Sequence, residues 1–158
     1  MIPVLAEASF AVLDTLDAET LVLFLVADRR PLRGAAGIVD WRLCGELSRA
    51  LQTGSLTGAL GERLLMPTHG RIGPKRLLLF GAGPLGRALP SGELGAMLEA
   101  ARSAGAQELA AELPENASAE AAAEAISRFS AKRLVLLGVG DRLREKLGRG
   151  PERPSKRA

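Results

Sequence analysis

The chain has one cysteine, Cys44, and one histidine, His69, in 158 residues. A disulfide within the chain is therefore excluded, and so is a zinc site built from several Cys or His ligands. Aromatic residues are scarce: four Phe, one Trp and no Tyr. Proteins that bind single-stranded nucleic acid need exposed aromatic platforms, so the composition argues against that class. Long apolar runs are missing too. The longest early run, Leu21–Ala27, is far short of the ~20 residues that span a bilayer. The N-terminal segment has no basic stretch and carries Glu7, Asp14, Asp17 and Glu19, unlike a signal peptide. The expectation is a cytoplasmic protein that does not enter membranes.

Neither sign of charge dominates the body. The net charge of +3 comes from the end of the chain, because residues 141–158 hold seven Lys/Arg against three Asp/Glu. The high isoelectric point is thus no sign of a nucleic-acid-binding face. Weak, non-specific attraction through the basic tail is the only such role expected.

The composition present is 47% apolar and 25% charged, that of one globular domain with a core of Leu, Val, Ile and Ala. Expected strands are Phe10–Leu13, Leu21–Ala27, Arg63–Met66, Lys75–Phe80, Glu108–Leu113 and Lys132–Val139. Leu21–Ala27 is continuously apolar, as in a strand buried on both faces. Helices are expected over 34–52, over 92–104 after an N-cap at Ser91, over 119–129 after Ser118, and over 141–147. Strand–helix alternation in the second half predicts a largely parallel sheet with helices on both faces. A hairpin between the first two strands would make that sheet mixed. Residues 1–148 are read as the domain and 149–158 as a basic disordered tail.

The stretch from Leu21 to Gly86 carries four features in order. They are the buried strand Leu-Val-Leu-Phe-Leu-Val-Ala at 21–27, the helix Gly34–Leu51, the segment Gly54-Ser-Leu-Thr-Gly-Ala-Leu-Gly-Glu62, and Pro74-Lys-Arg-Leu-Leu-Leu-Phe-Gly-Ala-Gly83. Together they resemble the N-terminal, non-catalytic domain of the leucine aminopeptidase (cytosol aminopeptidase) family, over roughly residues 10–128. The resemblance implies a macro-domain-like, three-layer α/β/α sandwich with a mixed, mostly parallel sheet. It implies no peptidase activity, since that family's metal ions and catalytic residues lie in a separate C-terminal domain. Asp17-Ala-Glu19 only superficially echoes that domain's signature. The chain's last strand suggests a domain that completes its own sheet and stands alone.

Two glycine clusters are the candidate ligand-binding loops. Gly81-Ala-Gly-Pro-Leu-Gly86 fits the spacing of a dinucleotide loop, in which backbone amides approach pyrophosphate. Pro84 removes one amide, however, and the next helix starts late. Asp28 with Gly34-Ala-Ala-Gly37 is similar in position to the first ADP-ribose loop of macro-like domains, and Gly81, Gly83 and Gly86 to the second. The bland reading is that these glycines serve turns and close packing. His69 is read as a loop residue, Cys44 as a small packed residue of the first helix, and Trp41 as a core anchor or, less simply, an interface anchor. A hydrolase acting on ADP-ribose or a related nucleotide would lack a convincing acid/base pair, since Asp28 and Asp40 are the only acids near the presumed cleft.

The expected function is a non-enzymatic binding, regulatory or assembly module without a cofactor or metal. Its partner would be a leucine-aminopeptidase-type catalytic chain or a second copy of itself. The alternative is a macro-like receptor for ADP-ribose or a related nucleotide.

Overall fold

The computed structural model describes residues 1–148; the expected basic tail lies outside them. Six strands form one sheet in the order β1-β6-β5-β2-β4-β3. They are β1 (Val4–Ala6), β2 (Thr20–Val26), β3 (Arg63–Pro67), β4 (Arg76–Gly83), β5 (Glu108–Glu112) and β6 (Arg133–Leu137). Every neighbouring pair is parallel except β3–β4. The helices are α1 (Phe10–Thr15), α2 (Gly34–Arg42), α3 (Glu46–Thr53), α4 (Ser91–Ser103), α5 (Ala119–Arg128) and α6 (Asp141–Lys146).

β2 lies near the centre of the sheet and all seven of its residues are buried, as its unbroken apolar run requires. Alternate side chains go to opposite faces. Leu21, Leu23 and Leu25 join Val39, Leu43 and Leu47 beneath α1–α3. Val22, Phe24 and Val26 join Leu94, Leu98, Ile126 and Leu143 beneath α4–α6. The two cores give the expected three layers. The second also holds the stacked pair Phe24–Phe80, with ring centroids 5.8 Å apart.

Four expectations fail. Residues 10–13 are helical, because the Ser9 hydroxyl accepts the Val12 N–H at 3.2 Å and caps a turn. The first strand is Val4–Ala6, which pairs in parallel with β6. The sheet is therefore mixed through the antiparallel β3–β4 pair and not through an N-terminal hairpin. The single helix over 34–52 is two helices. Cys44 and Gly45 both have positive φ, 56° and 79°, which ends α2, and Gly45 becomes the N-cap of α3. At α4 the N-cap is Pro90 and Ser91 is the first helical residue.

Candidate functional site

Parallel pairing delivers the C-terminal ends of β5, β2 and β4 to one edge of the sheet. The loops that leave them, residues 113–118, 27–33 and 84–90, meet there. This is where ligands bind in open α/β sheets, and both glycine clusters lie on it as expected.

The first cluster forms the start of α2. That helix has no side-chain N-cap hydrogen bond from Arg33, so its first amides need another acceptor. Glu112, the last residue of β5, supplies it. The Ala35 N–H meets the Glu112 carboxylate at 3.0 Å to Oε1 and 3.1 Å to Oε2. Gly34 has φ +58°, and a Cβ there would overlap this carboxylate. On the far side, a Cβ on Gly138 would lie 3.1 Å from Glu112 Oε2. A Cβ on either wall would crowd the carboxylate, which sits where the helix dipole favours an anion. Burial pushes the Glu112 carboxyl above the ordinary range; the Ala35 N–H opposes the shift, and nearby Glu115 adds to it. Gly37 is a packing residue, since a Cβ there would come within 2.8 Å of the Leu32 carbonyl oxygen.

The second cluster is used differently. The Gly81 N–H donates to the Glu62 carbonyl at 2.9 Å, and the Gly83 N–H to the Gly58 carbonyl at 3.0 Å. Pro84 has no N–H, and the Leu85 N–H donates to Asp28 Oδ1 at 2.8 Å. The amides of Gly81, Gly83 and Leu85 are thus taken within the chain, and Pro84 has none to offer a phosphate. A Cβ on Gly81 would overlap the Ala59 carbonyl, so this glycine lets the 58–62 loop lie against β4. Gly83 differs: its φ is +75°, and a Cβ there would lie 3.7 Å from the Leu60 Cβ, in ordinary contact. Gly86 is exposed and a Cβ there would meet nothing within 4 Å.

Asp28 does join the two clusters, as a brace between loops. Two further braces run beside it. Arg29 pairs with Glu115. Asn116, 7% exposed, donates through Nδ2 to the carbonyls of Ala82 at 2.8 Å and Arg87 at 2.9 Å. Sequence reasoning offers Glu112 only as one of two acids, with Glu108, that could follow a dinucleotide loop, not as the partner of α2, and it misses Asn116 altogether. Glu112 could have been sought as an acid ending an apolar strand; Asn116 sits in Pro-Glu-Asn-Ala-Ser, an ordinary turn composition.

The cavity left between these loops, lined by Arg29, Arg33, Ala36, Glu112 and Pro114 among others, measures about 40 Å³. Small-molecule sites run to roughly 300–1,000 Å³. A wider hollow of about 300 Å³ lies beside the end of β6, lined by Ala117, Ala122, Val139 and Leu143, and none of the predicted glycines borders it. Asp40 is occupied at the α2–α3 junction, where Oδ1 accepts the Ser48 N–H at 3.0 Å. Among the described residues, no three or more His, Cys, Asp or Glu side chains are grouped to hold a metal ion, and no helix is long and apolar enough to cross a membrane.

His69 is a loop residue with φ +54°. Trp41 is not a core anchor: it lies on the outer face of α2 and is 73% exposed. Cys44 is likewise exposed rather than packed, with Arg71 Nη1 3.1 Å from its sulfur. The exposure of Trp41 follows from the spacing of α2 itself, whose Ala35, Ala36 and Val39 face the sheet and leave Trp41 on the opposite side, and Cys44 is exposed in the turn that ends the helix.

Residues 21–130 match the cytosol aminopeptidase family, N-terminal domain. A probable cytosol aminopeptidase of Pseudomonas syringae pv. tomato is 39% identical over 70 residues, which are 44% of this chain and 14% of that protein. A tomato leucine aminopeptidase mutant superposes with a TM-score of 0.58 at 19% identity, over 94% of this chain and 35% of the other. The macrodomain of Mycobacterium tuberculosis DarG superposes with a TM-score of 0.57 at 15% identity, over 87% of this chain and 99% of its own. The chain thus spans only a minor part of the aminopeptidases it resembles, and nearly the whole of the macrodomain.

Proposed function

Because the chain belongs to the cytosol aminopeptidase family's N-terminal domain group, we propose that it is a non-catalytic protein-binding module that docks on a leucine-aminopeptidase-type catalytic chain. The observation that carries this choice over a nucleotide receptor is the Glu112 carboxylate on the α2 N-terminus. It fills, with the chain's own charge, the place where backbone amides would hold a phosphate. A nucleotide would have to displace it, break the Arg29–Glu115 brace, and carry a second negative charge past Glu112 and Glu115.

The test uses the purified full chain. It is mixed with a leucine-aminopeptidase catalytic chain, and a shared peak is sought by size-exclusion chromatography with light scattering. The expected result is a complex that Trp41→Ala weakens, since an exposed Trp truncated at an interface centre costs about 2 kcal/mol or more. Calorimetry with ADP-ribose is the second arm, with no heat expected. Absence of a complex together with ADP-ribose binding would replace this reading with the receptor.

A further inference from the structure

The open edge of the sheet has a feature that the loop edge lacks. Among the described residues β3 pairs only with β4, in an antiparallel register that sets Leu65 opposite Leu78. The bonds just outside this register fix its phase. The Gly81 N–H reaches the Glu62 carbonyl at one end, and the Thr68 N–H reaches the Lys75 carbonyl at the other. Hydrogen-bonded pairs alternate along an antiparallel ladder, so the even positions of β3 face β4. The backbone groups of Arg63, Leu65 and Pro67 then point outward. Proline sits with its missing N–H on the outer side, where it takes nothing from the ladder.

Side chains on this edge are apolar on both faces. Leu65 is 54% exposed and Leu64 36%. Leu60 and Leu85, 41% and 38% exposed, flank them beside Gly83, with the Leu60 Cβ in contact range of that residue. A long or apolar edge of this kind is a template for another strand unless it is covered.

We propose that β3 pairs with β3 of a second copy of this chain across a two-fold axis through Leu65. The occupant follows from the register. Centred there, Leu65 exchanges both backbone bonds with its symmetry mate. Each Arg63 N–H donates to the mate's Pro67 carbonyl, and the Arg63 carbonyl, opposite a proline with no N–H, stays with solvent. Leu64 packs on the mate's Met66 on one face, and Leu65 on Leu65 on the other. No like charges face each other, because Arg63 stands opposite Pro67. The interface is isologous and closed, as a two-fold demands. It uses a surface other than Trp41, so its failure leaves the proposed docking on a catalytic chain untouched.

Sedimentation equilibrium of the full chain over a concentration series is the test. A self-limiting dimer is expected. Leu65→Lys, which sets two ammonium groups face to face, and Leu65→Pro, which removes two of the inter-copy bonds, each weaken it about tenfold or more. Trp41→Ala leaves it unchanged. Circular dichroism checks that the variants fold. A covalent readout needs no destabilised variant: in a Cys44→Ser background, Leu65→Cys should cross-link on oxidation, since hydrogen-bonded pairs place Cα atoms about 5.5 Å apart, within disulfide range. Leu64→Cys, offset from its own mate, should cross-link much more slowly. A monomer at all concentrations, a dimer indifferent to both Leu65 variants, or equal cross-linking at positions 64 and 65 would overturn the pairing.

Discussion

The two glycine clusters look alike in the sequence, each following a buried strand, yet they solve opposite problems. At Gly34 the missing side chain makes room for a charge: the Glu112 carboxylate reaches the α2 amides through the space a Cβ would fill. At Gly81 the missing side chain makes room for backbone: the 58–62 loop lies on β4 and takes up the amides itself. One cluster is an anion seat with a resident anion, and the other is a packing seam. Glycine spacing reports that something must come close, and only the partner says what.

Substitutions that add back one methyl separate the two uses. Gly81→Ala should have the largest effect. Its methyl would overlap the Ala59 carbonyl, a backbone group that cannot rotate away, and overpacking of this kind costs about 1–3 kcal/mol or more. Urea unfolding should show about 3 kcal/mol lost. Gly34→Ala should cost less, about 1–2 kcal/mol, because the methyl meets a side chain that can move, leaving mainly the positive-φ penalty. The two sites separate in a double-mutant cycle: Glu112→Ala should recover part of the Gly34→Ala loss and none of the Gly81→Ala loss. Equal, additive losses at both glycines would erase the distinction.

Acidification sharpens the comparison from the other side. The Glu112 carboxyl is pushed up in the folded state, with burial the main cause. A carboxyl whose folded value lies above its unfolded value binds more protons when folded. Stability linked to it therefore rises as pH falls from the raised folded value toward the ordinary carboxylate range. Glu112→Gln removes this dependence while leaving an oxygen to accept the Ala35 N–H. The melting temperature of the variant minus that of the wild type should fall as pH drops through that window. A difference that grows with acidification would mean that the carboxylate is favoured where it sits.

The smallest effect is expected at the brace between the clusters. Asp28→Ala removes an exposed acceptor of the Leu85 N–H, and a bond of that kind contributes about 0.5–1.5 kcal/mol. Its loss should loosen both loops together, seen as faster amide exchange at Leu85 with little change in global unfolding. A loss rivalling that at Gly81 would make the loops one cooperative unit and the contrast between them secondary.

Much of this domain was legible from residue order because the features in question are local or strongly periodic. The apolar run 21–27 announces the doubly buried strand β2, Ser118 announces α5, and the four-part series from Leu21 to Gly83 announces the family. The failures cluster where neighbours in space compete with neighbours in sequence. Phe10–Leu13 has strand composition, but the Ser9 cap makes it a helix and leaves the edge position to Val4–Ala6. Residues 34–52 carry helical spacing throughout, yet the left-handed turn at Cys44 and Gly45 breaks them and leaves Cys44 exposed. Glu112 is marked in its own segment only as an acid ending an apolar strand, since the amide it meets is 77 residues away.

What the sequence alone determined is the class of the object: one α/β domain of the cytosol aminopeptidase N-terminal family, with its strands after the first, most of its helices and the loop edge where its glycines gather. Burial patterning and capping operate over a few residues, so they can be read in order. What tertiary structure decided is the use of that edge. Whether an amide is open to a ligand depends on which distant group reaches it first. Here Glu112 from β5 reaches α2, and the 58–62 loop reaches β4, through parallel pairings that set β5 and β4 on either side of β2.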